Sequence, residues 1–349
     1  MSEKFICSRR LRNGEELTIK IAVPPLSRKL IDVLPTHELS KTDIETRARL
    51  FGAFRGQSLD YFFIGELNEE IVGTLWYCTP ATCKEIAYLG EVFTIKEQRE
   101  KGIATNLVDV AIDFFRKNGG RAIYVTNLCP HAPHQIYRKT GFRAYGYGQH
   151  AYGGIIRLTV SETPEDFDQD YYRHDSNTSI RNVNWGDLPH FMAILNFPHP
   201  WIVRVYSLGL IGYAVFDELG RSFKSFMDTL KQANFGFVLE DSQHRVVGTA
   251  FSSSLKAVSQ SHVRTVDFLI HPNYFGEADR LLKMLIQRLR DEKIEKLQAY
   301  ASARDDSKTK ILKLCGFVKE TIMRDQLWIG TKKIDLVVYS KFLQKVNFN

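Results

Sequence analysis

The chain has 349 residues, of which 44% are hydrophobic and 25% charged, and its formal net charge is +7. This length predicts two domains, and this composition is typical of globular proteins and excludes a disordered or collagen-like chain. The five cysteines include no Cys-x-x-Cys pair, which argues against a disulfide framework, and no apolar run approaches the roughly 20 residues that span a bilayer. We therefore expect a cytoplasmic protein that does not enter a membrane.

The first third of the chain alternates predicted strands and helices. Leu17–Val23 has the alternation of a strand, and residues 26–34 and 41–54 have helical patterns. The β-rich runs 61–67 and 71–77 flank Asn68-Glu69-Glu70 and predict a hairpin. Nucleic-acid binding is not expected, because the aromatic residues lie in these apolar patterns and are not interleaved with a basic stripe.

A strand, a glycine turn and a helix then follow one another between residues 88 and 118. The strand through Glu91–Thr94 leads into the turn, and the helix that follows has a buried stripe opposite a charged face, ending at Gly119-Gly120. Gly102 allows a ligand to approach the backbone, and the free N–H groups of the helix start would face it. Arg99 and Lys101 add positive charge, so the turn suits a diphosphate.

A strand over residues 121–126 and a helix over 132–139 complete the first half. Residues 161–178 are acidic and poor in aliphatic side chains, and we interpret them as a linker between domains 1–160 and 179–349.

The pattern then repeats. A strand begins at Ile180, a helix at Leu188, a hairpin covers 235–251, and strand 263–270 leads through Gly276 into a helix. Gly73, Gly102 and Gly141 recur as Gly248, Gly276 and Gly316, at offsets of 175, 174 and 175 residues, which predicts a tandem duplication.

The spacing Arg99-x-x-Gly102-x-Ala104, with its surroundings, resembles the acetyl-coenzyme A loop of the GCN5-related N-acetyltransferase (GNAT) superfamily. The resemblance implies an α/β fold with two tandem domains, each a twisted mixed sheet with helices on both faces, in which two central strands splay apart. It also implies that the backbone of Val92, Phe93 and Thr94 pairs with pantetheine. The pyrophosphate would be held by the loop (Arg99, Glu100, Lys101, Gly102, Ile103, Ala104 and Thr105).

Two side chains match catalytic positions of the family. Tyr137, in Ile136-Tyr137-Arg138-Lys139-Thr140-Gly141-Phe142, matches the tyrosine that protonates the leaving thiolate, and its alternative role is that of a core aromatic. Glu91 lies where several members keep the base that deprotonates the amine. A glutamate that only forms a salt bridge on the strand is an equal alternative.

The segment 127–134 departs from the family, since Cys129 stands where an asparagine is frequent. Cys129 is either a small buried residue or an acyl carrier in a ping-pong route. A metal site of Cys129, His131 and His134 lacks a fourth ligand, so no metal is expected, and His134 fits the acceptor pocket better.

The second copy is degraded at the corresponding positions. Asn273 replaces the arginine, Glu277 places a carboxylate beside Gly276, and Leu312 stands where Tyr137 does. Asp267 lies near the place of Glu91, one residue out of step.

We therefore expect an N-acetyltransferase that moves an acetyl group from acetyl-coenzyme A to a primary amine by direct attack in a ternary complex. Two alternatives remain open at this point: an enzyme that transfers or decarboxylates acyl groups on an acyl carrier protein, and a regulatory protein that binds coenzyme A without catalysis. A monomer is expected, with a small-molecule or peptide amine as the acceptor.

Overall fold

The structure is a computed structural model. It describes residues 3–34, 44–127, 132–145, 154–206, 219–230, 234–255, 257–329 and 331–343. These residues form two compact units: the first holds the described residues up to Tyr145 with 154–168 and 185–192, and the second holds 169–184 and the described residues from 193 onward. Each unit is built around one mixed sheet, so the protein is of the α/β class. No helix within the described ranges has the length and apolar character needed to cross a membrane.

The first sheet has eight strands in the order β1-β2-β3-β4-β5-β6-β8-β7. Its strands are β1 (Lys4–Arg10), β2 (Glu16–Ala22), β3 (Ser58–Leu67), β4 (Glu70–Pro80), β5 (Ile86–Thr94), β6 (Ala122–Asn127), β7 (Arg143–Ala144) and β8 (Gly154–Thr159). The helices from residue 28 to 171 are α1 (Arg28–Val33), α2 (Ile44–Leu50), α3 (Ile103–Lys117), α4 (Ala132–Lys139) and α5 (Pro164–Tyr171). Among the described strands of this sheet only β5 and β6 pair in parallel, because α3 carries the chain across the sheet between them.

Helix α3 is the main support of the first sheet. Ile103, Leu107, Ala111 and Phe115 lie one above another on its buried side, at the spacing of a single helical face. They pack against β3, β4 and β5. Arg116 and Lys117 in the last turn complement the negative end of the helix, and Gly119 follows with a φ of 84°.

The second sheet has seven strands in the order β14-β15-β13-β12-β11-β10-β9. Its strands are β9 (Ser179–Asn182), β10 (Gly236–Glu240), β11 (Val246–Ser254), β12 (Val263–Ile270), β13 (Lys296–Ser302), β14 (Val318–Ile329) and β15 (Lys332–Phe342). The helices from residue 188 onward are α6 (Leu188–Asn196), α7 (Leu219–Leu230), α8 (Ala278–Asp291) and α9 (Asp306–Leu314). Here too one parallel pair, β12 with β13, lies among antiparallel ones.

The two sheets repeat one another in detail. Val72 and Val247 are each the extra residue of a bulge in the corresponding hairpin. Their carbonyls accept equivalent hydrogen bonds, from Ile95 N–H at 3.0 Å and from His271 N–H at 2.8 Å. The two valines are 175 residues apart and the two donors 176, within a residue or two of the offsets of the three glycines. The duplication itself stays a prediction.

The acidic segment predicted as a linker is not an extended tether. Residues Pro164–Tyr171 form helix α5, and Phe167, Tyr171 and Tyr172 are completely buried. The three aromatic rings explain the difference, because their burial orders a segment whose charged residues alone suggest exposure. The domain limits 1–160 and 179–349 remain predictions.

The N-terminal elements differ from their predicted limits. Strand β1 precedes the predicted first strand and was not expected, and the helix predicted over 41–54 is described only as Ile44–Leu50. Ser27 caps α1 by accepting a hydrogen bond from Leu30 N–H at 3.2 Å, so this helix begins at Arg28 and not at residue 26.

Candidate acyl-coenzyme A site

The candidate site begins where β5 and β6 separate. The strands pair only from Ile86–Tyr88 to Ala122–Tyr124, yet β5 continues to Thr94 and β6 to Asn127. Beyond Tyr88 this edge of β5, which includes Val92, Phe93 and Thr94, has no neighbouring strand in the described part of the chain. Its backbone groups are therefore placed to pair with an extended ligand, as the family resemblance implies.

Glu91 lies at a bulge in β5. Between the pairs Thr74–Phe93 and Trp76–Gly90, two residues of β5 stand opposite one residue of β4. Glu91 takes up the extra length with a φ of 51°, a left-handed conformation that is costly for a glutamate. The bulge changes the direction of the side chain at the point where the strands separate.

The loop before α3 offers a set of free amides. The first hydrogen bond of the helix runs from Asn106 N–H to the Gly102 carbonyl, at 3.1 Å. In the described part of the chain, the amides of residues 100–105 donate to no acceptor. Glu100 and Gly102 have φ values of 67° and 92°, and these left-handed residues expose the loop amides. The helix dipole adds positive potential at the same place, which suits a phosphate.

Three cationic side chains lie near the loop, and each has different contacts. Arg99 Nε donates to the Thr94 carbonyl at 3.2 Å, which fixes its stem along the end of β5. Lys101 forms a 2.7 Å ion pair with Glu15 of the β1–β2 turn, and this bond holds the pKa of Glu15 below its ordinary value. Arg12 Nε, from the same turn, is 3.9 Å from the position of a β-carbon on Gly102. Sequence reasoning missed Arg12, because its distance of ninety residues from the loop leaves no local signal.

Two buried oxygens near the loop indicate that a polar ligand fits there. Thr94 Oγ1 and Gln98 Oε1 are buried and have no hydrogen-bond partner among the described residues. Buried polar atoms without partners are uncommon in folded proteins. Together with the free amides of residues 100–105, they match a ligand that has many hydrogen-bonding groups, as a pyrophosphate with an adjoining pantetheine has.

Tyr137 is a buried residue of α4. Its ring packs edge-on against Phe142, with 5.5 Å between ring centroids, and it belongs to the core that α3 covers. Burial raises the pKa of the phenol above 10, and the charges of Tyr88 and Glu91 raise it further. The phenol therefore keeps its proton at neutral pH. This environment is compatible with both roles considered for Tyr137, that of a core aromatic and that of a buried acid.

Tyr88 is a second phenol at the point where the strands separate, and sequence reasoning missed it. It is the last paired residue of β5. Burial raises the pKa of Tyr88 to about 12. The sequence places Tyr88 in a strand, but only the tertiary structure puts it where β5 and β6 separate.

A small cavity of about 10 Å³ lies beside Glu91. Its lining residues are Leu34, Thr46, Leu50, Phe62, Thr74, Leu75, Trp76 and Glu91. Glu91 is the one carboxylate among them in the described part of the chain. Asp60 lies behind the lining, where it accepts hydrogen bonds from Trp76 Nε1 at 2.9 Å and from Arg49 Nη1 at 3.0 Å. The cavity therefore has mostly apolar walls and one acidic group.

Three candidate side chains cannot be placed. Cys129 and His131 lie outside the described residues, and of His134 only the backbone, within α4, is described. Their predicted roles in acyl transfer or in the acceptor pocket stay predictions.

The second unit differs at each corresponding position. Gly102 is the N-cap of α3, whereas Glu277 is the N-cap of α8 and forms a 2.8 Å ion pair with Arg280. The pairing of β11 with β12 is continuous, so the bulge that carries Glu91 has no equivalent. Asp267 pairs with Phe251, as Gly90 pairs with Trp76. The predicted near-match of Asp267 to Glu91 is therefore a match to Gly90.

The sequence of the first unit matches a known family. Residues 30–142 match the model of the Acetyltransferase (GNAT) family. The first unit is thus a GNAT acetyltransferase domain, as the resemblance predicted. The protein that contains it is an acyltransferase. No curated protein sequence matches the chain.

Several solved structures resemble about half of this chain at low identity. An N-acetyltransferase from Staphylococcus aureus Mu50 is 19% identical, with a TM-score of 0.43, over 48% of this chain and 100% of that chain. A phosphinothricin acetyltransferase from Sinorhizobium meliloti in complex with AcCoA is 16% identical, with a TM-score of 0.41, over 48% and 88%. A spermidine N-acetyltransferase mutant from Vibrio cholerae is 19% identical, with a TM-score of 0.40, over 50% and 98%. At such scores the similarity names no acceptor for this chain.

Proposed function

We propose that the first unit transfers an acetyl group from acetyl-coenzyme A to a primary amine, by direct attack with both substrates bound. One observation supports this most strongly: a loop with six free amides follows a strand whose bulged glutamate lies where β5 and β6 separate. The loop suits the diphosphate of the donor, and the glutamate suits a base next to it.

The residues have separate tasks in this proposal. Residues 99–105 bind the diphosphate, and the free edge of Val92, Phe93 and Thr94 orients the pantetheine arm. Acetyl-coenzyme A, when bound, supplies the acetyl thioester. Glu91 accepts the proton that an ammonium must lose before its nitrogen can attack, and Tyr137 holds a proton for the leaving sulfur.

Gly102 provides the first test. We expect Gly102→Val to raise the KM for acetyl-coenzyme A at least about 10-fold, because its β-carbon enters the phosphate site and φ of 92° strains a branched residue. Release of the coenzyme A thiol with an amine panel measures this. Gly276→Val is the matched control, since a β-carbon there meets nothing within 4 Å.

We expect Gly276→Val to keep the wild-type KM, and thermal unfolding checks that both variants fold. An unchanged KM in folded Gly102→Val would place the donor elsewhere. Absence of acetyl transfer to any amine by the wild-type protein would contradict the proposed activity itself.

A further inference from the structure

In the second sheet, as in the first, two neighbouring parallel strands separate and leave a groove between them. β12 and β13 pair only from Val263–Thr265 to Lys296–Gln298, while β12 continues to Ile270 and β13 to Ser302. Helix α9 begins directly after β13, as α4 follows β6 in the first unit. The groove is therefore bounded by the unpaired end of β12 and the start of α9.

Residues 199–206 of the same unit lie along the β12 side of this groove. His199 Nε2 donates to the Ile270 carbonyl at 2.8 Å. Trp201 packs edge-on against Phe268, at 5.3 Å, and stacks on Phe275 of the loop, at 5.5 Å between centroids. Further along, Tyr206 N–H donates to Asp267 Oδ2 at 2.5 Å. The segment thus follows the strand from the loop to the point where the strands separate.

The same segment is bound on its other side by the start of α9. Asp305 accepts hydrogen bonds from Ile202 N–H at 2.8 Å and from Val203 N–H at 2.9 Å. Trp201 Nε1 donates to Ser307 Oγ at 2.6 Å. The segment is therefore held between the strand and the helix by its own backbone.

Lys308 closes the groove. Its ammonium donates to the carbonyls of Val203 at 2.9 Å and Arg204 at 3.0 Å, and it forms a 3.1 Å ion pair with Asp267. Lys308 and Val203 are completely buried, and Asp267 is 1% exposed. A charge buried so deeply needs these partners, so the segment and Lys308 depend on each other.

The loop of the second unit packs against the same segment. Phe275 stands on this loop, and its ring stacks on Trp201 at 5.5 Å between centroids. The loop starts as the first one does: Tyr274 N–H donates to the His271 carbonyl at 2.8 Å, and Gln98 N–H to the Ile95 carbonyl at 3.1 Å.

We propose that residues 199–206 are a built-in occupant of the second groove, in the place of an extended ligand, and that the second unit therefore binds no acyl-coenzyme A. The whole chain then binds one acyl-coenzyme A, in the first unit. The inference concerns the second unit and does not depend on the first being catalytic.

Binding stoichiometry tests the proposal. Calorimetric titration of coenzyme A into the full chain is expected to give one equivalent, and Gly102→Trp is expected to remove it completely. A second equivalent, or binding that remains in Gly102→Trp, would overturn the proposal. If the wild-type chain bound nothing, the proposed function would fail, and the next experiment would still decide the state of the groove.

Hydrogen exchange tests the occupant directly. Peptides covering 199–206 are expected to exchange slowly, and at the same rate with and without coenzyme A, whereas peptides covering 100–106 become protected on binding. Asp305→Asn, which weakens the acceptor of two amides, is expected to speed exchange in 199–206 at least several-fold. Asp306→Asn, at the exposed neighbouring position, is the matched control and is expected to leave it unchanged.

Fast exchange across 199–206 in the wild-type chain, or a change there on adding coenzyme A, would show that the groove is open. Equal exchange in the two aspartate variants would likewise contradict the assigned role of Asp305.

Discussion

Glu91 owes its position to one additional residue in β5. Strand alternation alone would place it on the face opposite Gly90, in a regular ladder, but the bulge gives it a φ of 51° and a place beside the cavity. Backbone strain of this kind persists only when the surrounding structure holds it, and here the β4–β5 pairs on both sides of the bulge do so. A structural salt-bridge residue has no evident need for such a conformation, and this favours the role of a base.

Replacing Glu91 tests that role. We expect Glu91→Gln to lower kcat/KM for the amine by about 10²-fold, because the amide has the shape of the carboxylate but accepts no proton. The loss should shrink as pH rises toward the pKa of the amine, where the acceptor is already neutral. Steady-state rates from pH 6.5 to 9.5 measure this, and the KM for acetyl-coenzyme A serves as the control. An equal loss at every pH would contradict a base.

Tyr137 makes a different prediction because burial raises its pKa. An acid whose pKa is raised above 10 stays protonated through pH 6–10, so kcat should show no alkaline fall in that range. We expect Tyr137→Phe to lower kcat by about 10²-fold with the same profile. Tyr88→Phe, at the neighbouring phenol, separates the two tyrosines.

The result for Tyr88→Phe has a clear reading. If it loses activity and Tyr137→Phe does not, then Tyr88 is the acid and Tyr137 is a core residue against Phe142. Loss of thermal stability without loss of kcat in Tyr137→Phe would also show that Tyr137 is a core residue and not the acid.

At the scale of elements, the strand-loop-helix of residues 86–117 was predictable. Its signals are local: an apolar strand, a glycine that has positive φ, and a helix with one buried stripe. The position of Arg12 was not predictable, because it lies ninety residues before the Gly102 that it approaches. The bulge at Glu91 was not predictable either, because an additional residue in β5 is recognised only from its pairing with the neighbouring strand β4.

At helix α5 the composition was misleading, because its many charged residues suggested an exposed linker. Phe167 is completely buried and lies within 5.5 Å of the guanidinium groups of Arg121 and Arg157. Arg157 in turn forms an ion pair with Asp168 of the same helix. A charged composition is therefore compatible with a packed helix when one large ring is buried under it.

The stability of α5 can be measured. We expect Phe167→Ala to lower the free energy of unfolding by about 3–5 kcal/mol, because the ring is fully buried and its removal leaves a cavity. Asp166→Ala, on the exposed side, is the control, and its loss should stay within about 1 kcal/mol through its bond with Thr163. Urea unfolding measures both. Equal stabilities would mean that residues 161–178 are a linker after all.

At the scale of the whole molecule, two buried histidines predict a pH dependence of stability. Burial lowers the pKa of His199 and of His271 to about 3 each. Arg204, Lys308 and His271 also oppose a charge on His199, and Trp201 N–H donates to its Nδ1, which leaves no site for a second proton. The folded protein therefore keeps both rings neutral where the unfolded chain binds protons.

The sign follows from linkage. A histidine whose pKa is lower in the folded state destabilises the fold as pH falls below its ordinary value of about 6.5, by about 1 kcal/mol per pH unit for each ring. We expect the free energy of unfolding to drop by about 2 kcal/mol between pH 6.5 and 5.5. His199→Gln should halve this slope, and His262→Gln, an exposed position, should leave it intact. A slope unchanged in His199→Gln would contradict the assignment.

The segment that fills the second groove has a consequence for the history of the chain. A site lost by substitution can be regained by substitution, but a site lost because main chain lies in it cannot. Restoring Arg at Asn273 and Tyr at Leu312 would therefore not create a second active centre, since the backbone of residues 199–206 would still stand in its way. On this proposal the second unit would gain cofactor binding only if this segment moved out of the groove, and not by substitutions in the loop alone.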